Sequence, residues 1–172
     1  MIFITLVGKQ DTGKTTSIKM LANELLRLEK KTKNLHLNDN YFKQRQRSCI
    51  DRQKLLKYGM DLLNYTGDIT IKFEWNSKSI GITSFGDDVH SIKTKYDIFK
   101  DCDIFVSAAH PDDATINYIK AIVQNGTHIH IVINKSTVKA KNLPPNKDIK
   151  NIECHVNTAT AEELLKIVEY LL

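Results

Sequence analysis

Residues 1–15 constrain the fold of this chain more than any other stretch. Ile2, Phe3, Ile4, Leu6 and Val7 form a short apolar run closed by Gly8, the pattern of a strand buried on both faces of a parallel sheet. From Thr15 to Lys31 the period changes. Ile18, Leu21, Ala22, Leu25 and Leu28 recur at helical spacing, which leaves Lys19, Glu24, Arg27 and Lys30 for the wet face. Between strand and helix stand Gly8, Lys9, Gln10, Asp11, Thr12, Gly13, Lys14, Thr15 and Thr16. They fit G-x-x-x-x-G-K-[ST] in the strand, loop and helix setting that this motif needs. The glycines permit a tight turn in which successive amides converge on phosphates, and the helix dipole adds positive potential. Lys14 then reaches the terminal phosphates and Thr15 ligates magnesium.

Further along, Leu35 and Leu37 alternate with His36 and Asn38 in a brief strand, and Asp39 to Asp51 is a polar, basic and aperiodic loop. Lys54 to Tyr65 regains helical spacing through Leu55, Leu56, Met60, Leu62 and Leu63. Ile69, Ile71, Phe73 and Trp75 alternate with Thr70, Lys72 and Glu74, and after Asn76 to Lys78 the run Ile80 to Phe85 begins, so a β-hairpin is predicted. Asp103 to Ala108 reads as a second buried strand. Ala114 to Gln124 reads as a helix capped by Asp112 or Asp113 with Gly126 past its end, and His128 to Ile133 as a strand. Lys135 to Lys150, with Pro144 and Pro145, is predicted as a loop and Ile152 to Val156 as the last strand. Thr160 and Glu163 are predicted to form a capping box for the closing helix. This alternation predicts an α/β fold, three-layer α/β/α, with a mostly parallel central sheet and one antiparallel β-hairpin. At 172 residues, 41% of them hydrophobic, one domain spanning 1–172 is expected.

No apolar run approaches the roughly 20 residues that span a bilayer, and Met1 to Val7 lacks the charged flank and cleavage site of a signal peptide. No membrane partner and a cytoplasmic location are therefore expected. Cys49, Cys102 and Cys154 are odd in number and widely spaced, which predicts reduced, mostly buried thiols. The net charge of +5 suits an anionic ligand and equally a lysine-rich surface. Of the four arginines, Arg45, Arg47 and Arg52 share one short stretch, while Arg27 stands alone.

Gly8, Gly13, Lys14 and Thr15 resemble the Walker A motif of the P-loop NTPase superfamily, and the order of elements is similar to its kinase and GTPase branch. The resemblance implies that fold and a site for ATP, or another nucleoside triphosphate, with Mg2+. GTPases place D-x-x-G after the strand of the hairpin, where this chain has Thr83, Ser84, Phe85 and Gly86. Asp87 or Asp88 then stands in as the metal carboxylate beside Thr15, although each also suits a turn or helix cap. Asn134, Lys135, Ser136 and Thr137 look like the guanine-reading N-K-x-D but end in threonine, so ATP is expected over GTP.

Leu37 to Lys43 is similar to the D-x-x-Y segment of nucleoside and small-molecule kinases, with Phe42 in the tyrosine position and Tyr41 before it, which implies Asp39 as the base that takes the acceptor's proton. Arg45 and Arg47, with Arg52 behind them, resemble the arginines that clamp transferring phosphates or an anionic acceptor. His110 closes its strand on the sheet edge where ligands of open α/β folds bind. Two functions fit. One is a phosphotransferase acting on a nucleotide, nucleoside, nucleic acid or other small acceptor through Lys14, Asp39, Arg45 and Arg47. The other is an NTP-hydrolysing switch that reports to a protein partner as the residues from Gly86 onward move with the γ-phosphate. The arginine stretch and the incomplete guanine motif favour the first.

Overall fold

Six strands join into one sheet in a computed structural model of the chain, which describes residues 1–10, 12–37, 61–86, 88–124, 129–134 and 147–172. In chain order the elements are β1 (Ile2–Val7), α1 (Lys14–Lys31), β2 (Leu35–Leu37), a single 3-10 turn (Leu62–Asn64), β3 (Thr70–Trp75) and β4 (Lys78–Thr83). They continue as α2 (Val89–Phe99), β5 (Ile104–Ala109), α3 (Asp113–Gln124), β6 (Ile129–Asn134) and α4 (Lys147–Leu171). The strands lie in the order β2-β3-β4-β5-β1-β6. β1 pairs in parallel with β5 and β6, and β4 with β5, whereas β2–β3 and β3–β4 are antiparallel. The fold is therefore α/β with a mixed sheet that contains the expected hairpin. That hairpin turns through Asn76 at φ 50° and Ser77 at φ 66°, and two positive central φ values give a turn whose twist matches the strands.

Side chains alternate across the sheet with period two, and each face has its own core. Ile4, Leu6, Ile104 and Val106 pack with Ile18, Leu21 and Leu25 of α1 and with Leu164 and Val168 of α4. Phe3, Val7, Phe105 and Ala109 pack on the other side with Ile92 and Phe99 of α2 and Ile119 of α3. The Phe3 and Phe105 rings stack at 4.8 Å, a geometry worth about 0.5–1.5 kcal/mol beyond the area it buries. In register, Val7 is level with Ala109 and Asn134, and Thr83 is level with Ser107. The C-terminal ends of four strands thus share one edge, and the antiparallel pairing of Thr70 with Thr83 brings the start of β3 there too.

The segment from Lys147 onward differs from its prediction. Ile152 to Val156 is not a strand but part of α4, which runs from Lys147 to Leu171. The alternation of Ile152, Cys154 and Val156 is short, and Ile152 is 48% exposed, so no buried face holds this segment in a sheet and the helix continues through it. Thr160 does not cap a helix with Glu163. Its hydroxyl donates to the Val156 carbonyl at 2.8 Å, as that of Thr158 does to Cys154 at 2.9 Å, both inside the helix. The helix at Lys147 likewise replaces the end of the expected loop 135–150.

α2 has no counterpart among the predicted elements. Of the helix expected over Lys54 to Tyr65, the 3-10 turn is the described part, and the loop Asp39 to Asp51 lies outside the described residues. Lys19, expected in solvent, is buried. Cys102 is buried, and burial pushes its thiol pKa up; Cys154 is exposed, contrary to expectation, and Cys49 lies outside the described residues. Among the described residues, no helix is long and apolar enough to cross a membrane.

Candidate functional site

The glycine–lysine loop leaves β1 at the shared edge. The Gly8 amide donates to the Ala109 carbonyl at 3.2 Å, which fastens the loop to the end of β5. Both the amide and the hydroxyl of Thr12 donate to the Lys9 carbonyl, at 3.4 and 2.9 Å, and close the turn. Gly13 stands at φ 83°, in the left-handed region that costs glycine least. A Cβ there would lie 2.3 Å from Oδ1 of Asn157 on α4. Lys14 is buried, and its Nζ turns back over the loop to donate to the carbonyls of Gly8 at 2.6 Å and Lys9 at 2.8 Å. A desolvated ammonium needs such partners. Anionic oxygens bind it more strongly than neutral carbonyls do.

Three helices begin at this edge, after β1, β4 and β5. Asp88 caps α2 by accepting from the Ser91 amide at 2.7 Å, and Asp112 caps α3 by accepting from the Thr115 amide at 2.8 Å. These amide bonds hold both carboxyls below the usual carboxylate range. α1 differs. It starts at Gly13 with no side-chain cap among the described residues and no acidic residue in its first turn. Its N-terminal amides and dipole therefore favour an external anion.

A polar stripe on α1 supplies the second half of the site. Thr15, Lys19 and Asn23 follow one another at four-residue spacing and so share a helix face. Asn23 accepts from the Leu62 amide at 2.9 Å and donates to Asp61 at 3.0 Å. Lys19 donates to the Tyr65 carbonyl and lies 5.7 Å over that residue's ring. Thr15 approaches Asp68, with Oγ1 3.4 Å from Oδ1. Residues 61–68 thus run antiparallel along α1 and deliver a half-buried carboxylate to Thr15. Ser84 fixes that carboxylate: its Oγ donates to Asp68 Oδ1 at 2.7 Å and accepts from the Ile69 amide at 2.9 Å. Burial pulls the Lys19 ammonium below the usual lysine range, and the Asp68 charge opposes this.

The structure brings together Gly8, Lys9, Gln10, Thr12, Gly13, Lys14, Thr15 and Thr16 at the edge, with Lys9 and Gln10 exposed. Asp11, Asp39, Arg45, Arg47, Arg52, Asp87, Lys135, Ser136 and Thr137 lie outside the described residues. Asn134 ends β6 level with Val7. Thr83, at the position of the GTPase aspartate, spends its hydroxyl within the hairpin, 3.1 Å from the Ile69 carbonyl, and accepts from the Phe85 amide at 3.2 Å. His110 is half-exposed with Nδ1 3.8 Å from Asp112, and its amide donates to the Gly86 carbonyl at 3.1 Å.

Asp68, Lys19 and Asn157 gained no role from the sequence. A usable signal existed for Asp68, because a strand that starts at Ile69 and pairs antiparallel with one ending near Phe85 puts the preceding residue at the edge where the glycine–lysine loop lies. Among the described residues no three His, Cys, Asp or Glu side chains gather as a metal site. A cation held beside the loop would therefore combine the Thr15 and Asp68 oxygens with oxygens of a ligand. No protein-family model matches the chain, and neither curated proteins nor solved structures return a match.

Proposed function

We propose that the chain is a P-loop NTPase of three-layer α/β/α architecture. On this reading it binds ATP, or another nucleoside triphosphate, with magnesium at Gly8 to Thr16 and transfers the terminal phosphoryl group to a hydroxyl acceptor. The observation that carries the proposal is α1, which begins with no side-chain cap among the described residues and with a buried lysine turned onto loop carbonyls, while α2 and α3 at the same edge are capped by carboxylates. A triphosphate draws the Lys14 N–H groups from the Gly8 and Lys9 carbonyls to its own oxygens and takes the α1 amides as further donors.

Bound magnesium supplies charge neutralisation across the phosphate oxygens, and the Thr15 hydroxyl is an oxygen donor of the type it accepts. In the transfer, the acceptor oxygen forms its bond to the terminal phosphorus as the nucleoside diphosphate leaves. The acceptor's proton passes to Asp39, while Arg45 and Arg47 stabilise the charge that develops. These three roles rest on the sequence resemblance.

Calorimetric titration with ATP and GTP in Mg2+ tests the proposal. ATP is expected to bind at least about tenfold tighter, because Thr137 replaces the carboxylate that would pair with guanine. Failure of both nucleotides to bind overturns the proposal. A tenfold preference for GTP reverses the adenine assignment and favours a hydrolytic switch.

The switch reading has one observation behind it: Ser84, directly after the hairpin, is linked through Asp68 to Thr15, so a change at the loop reaches the segment after β4. Asp39→Asn and the pair Arg45→Ala with Arg47→Ala separate the two functions. In a phosphotransferase these changes lower transfer by about 100-fold or more while ATP affinity barely moves. Assays on nucleosides, nucleotides and short DNA provide the check. If wild type phosphorylates none of them and hydrolysis ignores all three substitutions, the switch is the function.

A further inference from the structure

We infer that Asp68, two residues before β3, supplies the carboxylate of the magnesium subsite, and that Ser84 is its positioning residue. The inference rests on the triphosphate reading of the loop and concerns which side chain completes that site.

Magnesium takes hard oxygen ligands at about 2.0–2.1 Å and is commonly held by one or two carboxylates together with phosphate oxygens and water. Asp88 and Asp112 at the edge each spend a carboxylate on a helix cap. Thr83 brings a hydroxyl, already engaged inside the hairpin. Among the described residues Asp68 is the acid that faces Thr15, and a single oxygen, Oδ1, meets both Thr15 Oγ1 and Ser84 Oγ.

The Thr15 to Asp68 separation of 3.4 Å is long for a hydrogen bond between oxygens. Two oxygens at neighbouring corners of a magnesium octahedron lie about 2.9 Å apart, so a shift of roughly half an ångström, or one bridging water, accommodates the cation.

The surroundings support a built site rather than a chance approach. Asn23 and Lys19 anchor residues 61–65 to α1, and Ser84 ties Asp68 to the Ile69 amide. The carboxylate is therefore held from both sides. The proposal also accounts for the hydroxyl at Thr83: the acid is carried just ahead of the partner strand of the hairpin, whose start the antiparallel register brings to the same edge.

The test compares ATP affinity in Mg2+ with ATP affinity in EDTA for wild type, Asp68→Asn, Ser84→Ala and Asp87→Asn, with circular dichroism to confirm folding. Asn preserves the shape and hydrogen bonding of Asp68, so the variant is expected to fold. Magnesium should strengthen ATP binding to wild type. Asp68→Asn should lower the affinity in Mg2+ by about 10- to 100-fold and leave the affinity in EDTA unchanged, with Ser84→Ala giving a smaller loss of the same kind. A merely structural role would weaken binding equally in both media, and that result overturns the inference. Full retention of the magnesium effect by Asp68→Asn also overturns it, as does its loss in Asp87→Asn alone. Wild type that binds ATP equally in both media refutes the metal subsite, whereas wild type that binds no ATP in either refutes the triphosphate reading instead.

Discussion

Lys14→Ala is expected to lower affinity for ATP with Mg2+ by about 100-fold or more, the loss of one or two charge-assisted bonds to phosphate, while the protein remains folded. The second half of this expectation follows from the bonds Lys14 makes without a ligand. Its Nζ reaches the carbonyls of Gly8 and Lys9, and the Lys9 carbonyl also accepts from the Thr12 amide and hydroxyl, so the turn keeps its own closure. The side chain contributes to neither hydrophobic core. Titration calorimetry measures the binding loss and a thermal melt measures the stability. A variant that binds ATP as tightly as wild type would overturn the triphosphate proposal.

Gly86→Ala should show the largest effect on stability. A Cβ at this position would stand 1.8 Å from the Ala108 carbonyl oxygen and 2.5 Å from its carbon. These are main-chain atoms of β5 and cannot rotate away, unlike the Asn157 side chain that a Cβ at Gly13 would meet. The exit of β4 must lift off β5, which stretches the bond from the His110 amide to the Gly86 carbonyl, now 3.1 Å. Overpacking of this kind costs about 1–3 kcal/mol, and for a chain of this length each kcal/mol lowers the melting temperature by about 2–4 °C. Ser84 lies two residues away, so the displacement also disturbs its hold on Asp68. Calorimetric melting checks the first effect and ATP affinity with and without Mg2+ the second. An unchanged melting temperature would mean that the strand exit moves aside freely.

The parts legible in the sequence are those where one physical signal acts over a continuous stretch. β1, the loop and α1 could be read because a doubly buried run, a glycine turn and a helical period follow one another without interruption. The hairpin could be read because period-two alternation flanks a polar turn. α4 is illegible for the converse reason: the alternation at Ile152, Cys154 and Val156 imitates a strand, and the helix that contains it has no cap at Thr160. Lys19 looked solvent-facing because the segment covering it is polar and meets it with the Tyr65 carbonyl. Hydrophobic periodicity does not register that kind of contact. Asp68 was hidden more deeply, since its place depends on strand register and helix packing together. The placing of β5 between β1 and β4 is also a tertiary choice, which the order of elements along the chain leaves open.

The interior position of β1, between β5 and β6, has a consequence for synthesis. Both its hydrogen-bonding partners come much later in the chain: Ile2 is level with Ile104 and with Ile129, and at a translation rate of about 5–20 residues per second its apolar run waits roughly 5–20 s for the first of them. The β3–β4 hairpin, closed by a two-residue turn, has no such delay. Parallel pairing across so long a separation must overcome loop-closure entropy before any contact rewards it, which makes it slow. The nascent chain therefore leaves this apolar run unpaired until Ile104–Ala109 has been made. The loop that this strand carries is completed late, when Asn157 of α4 arrives against Gly13.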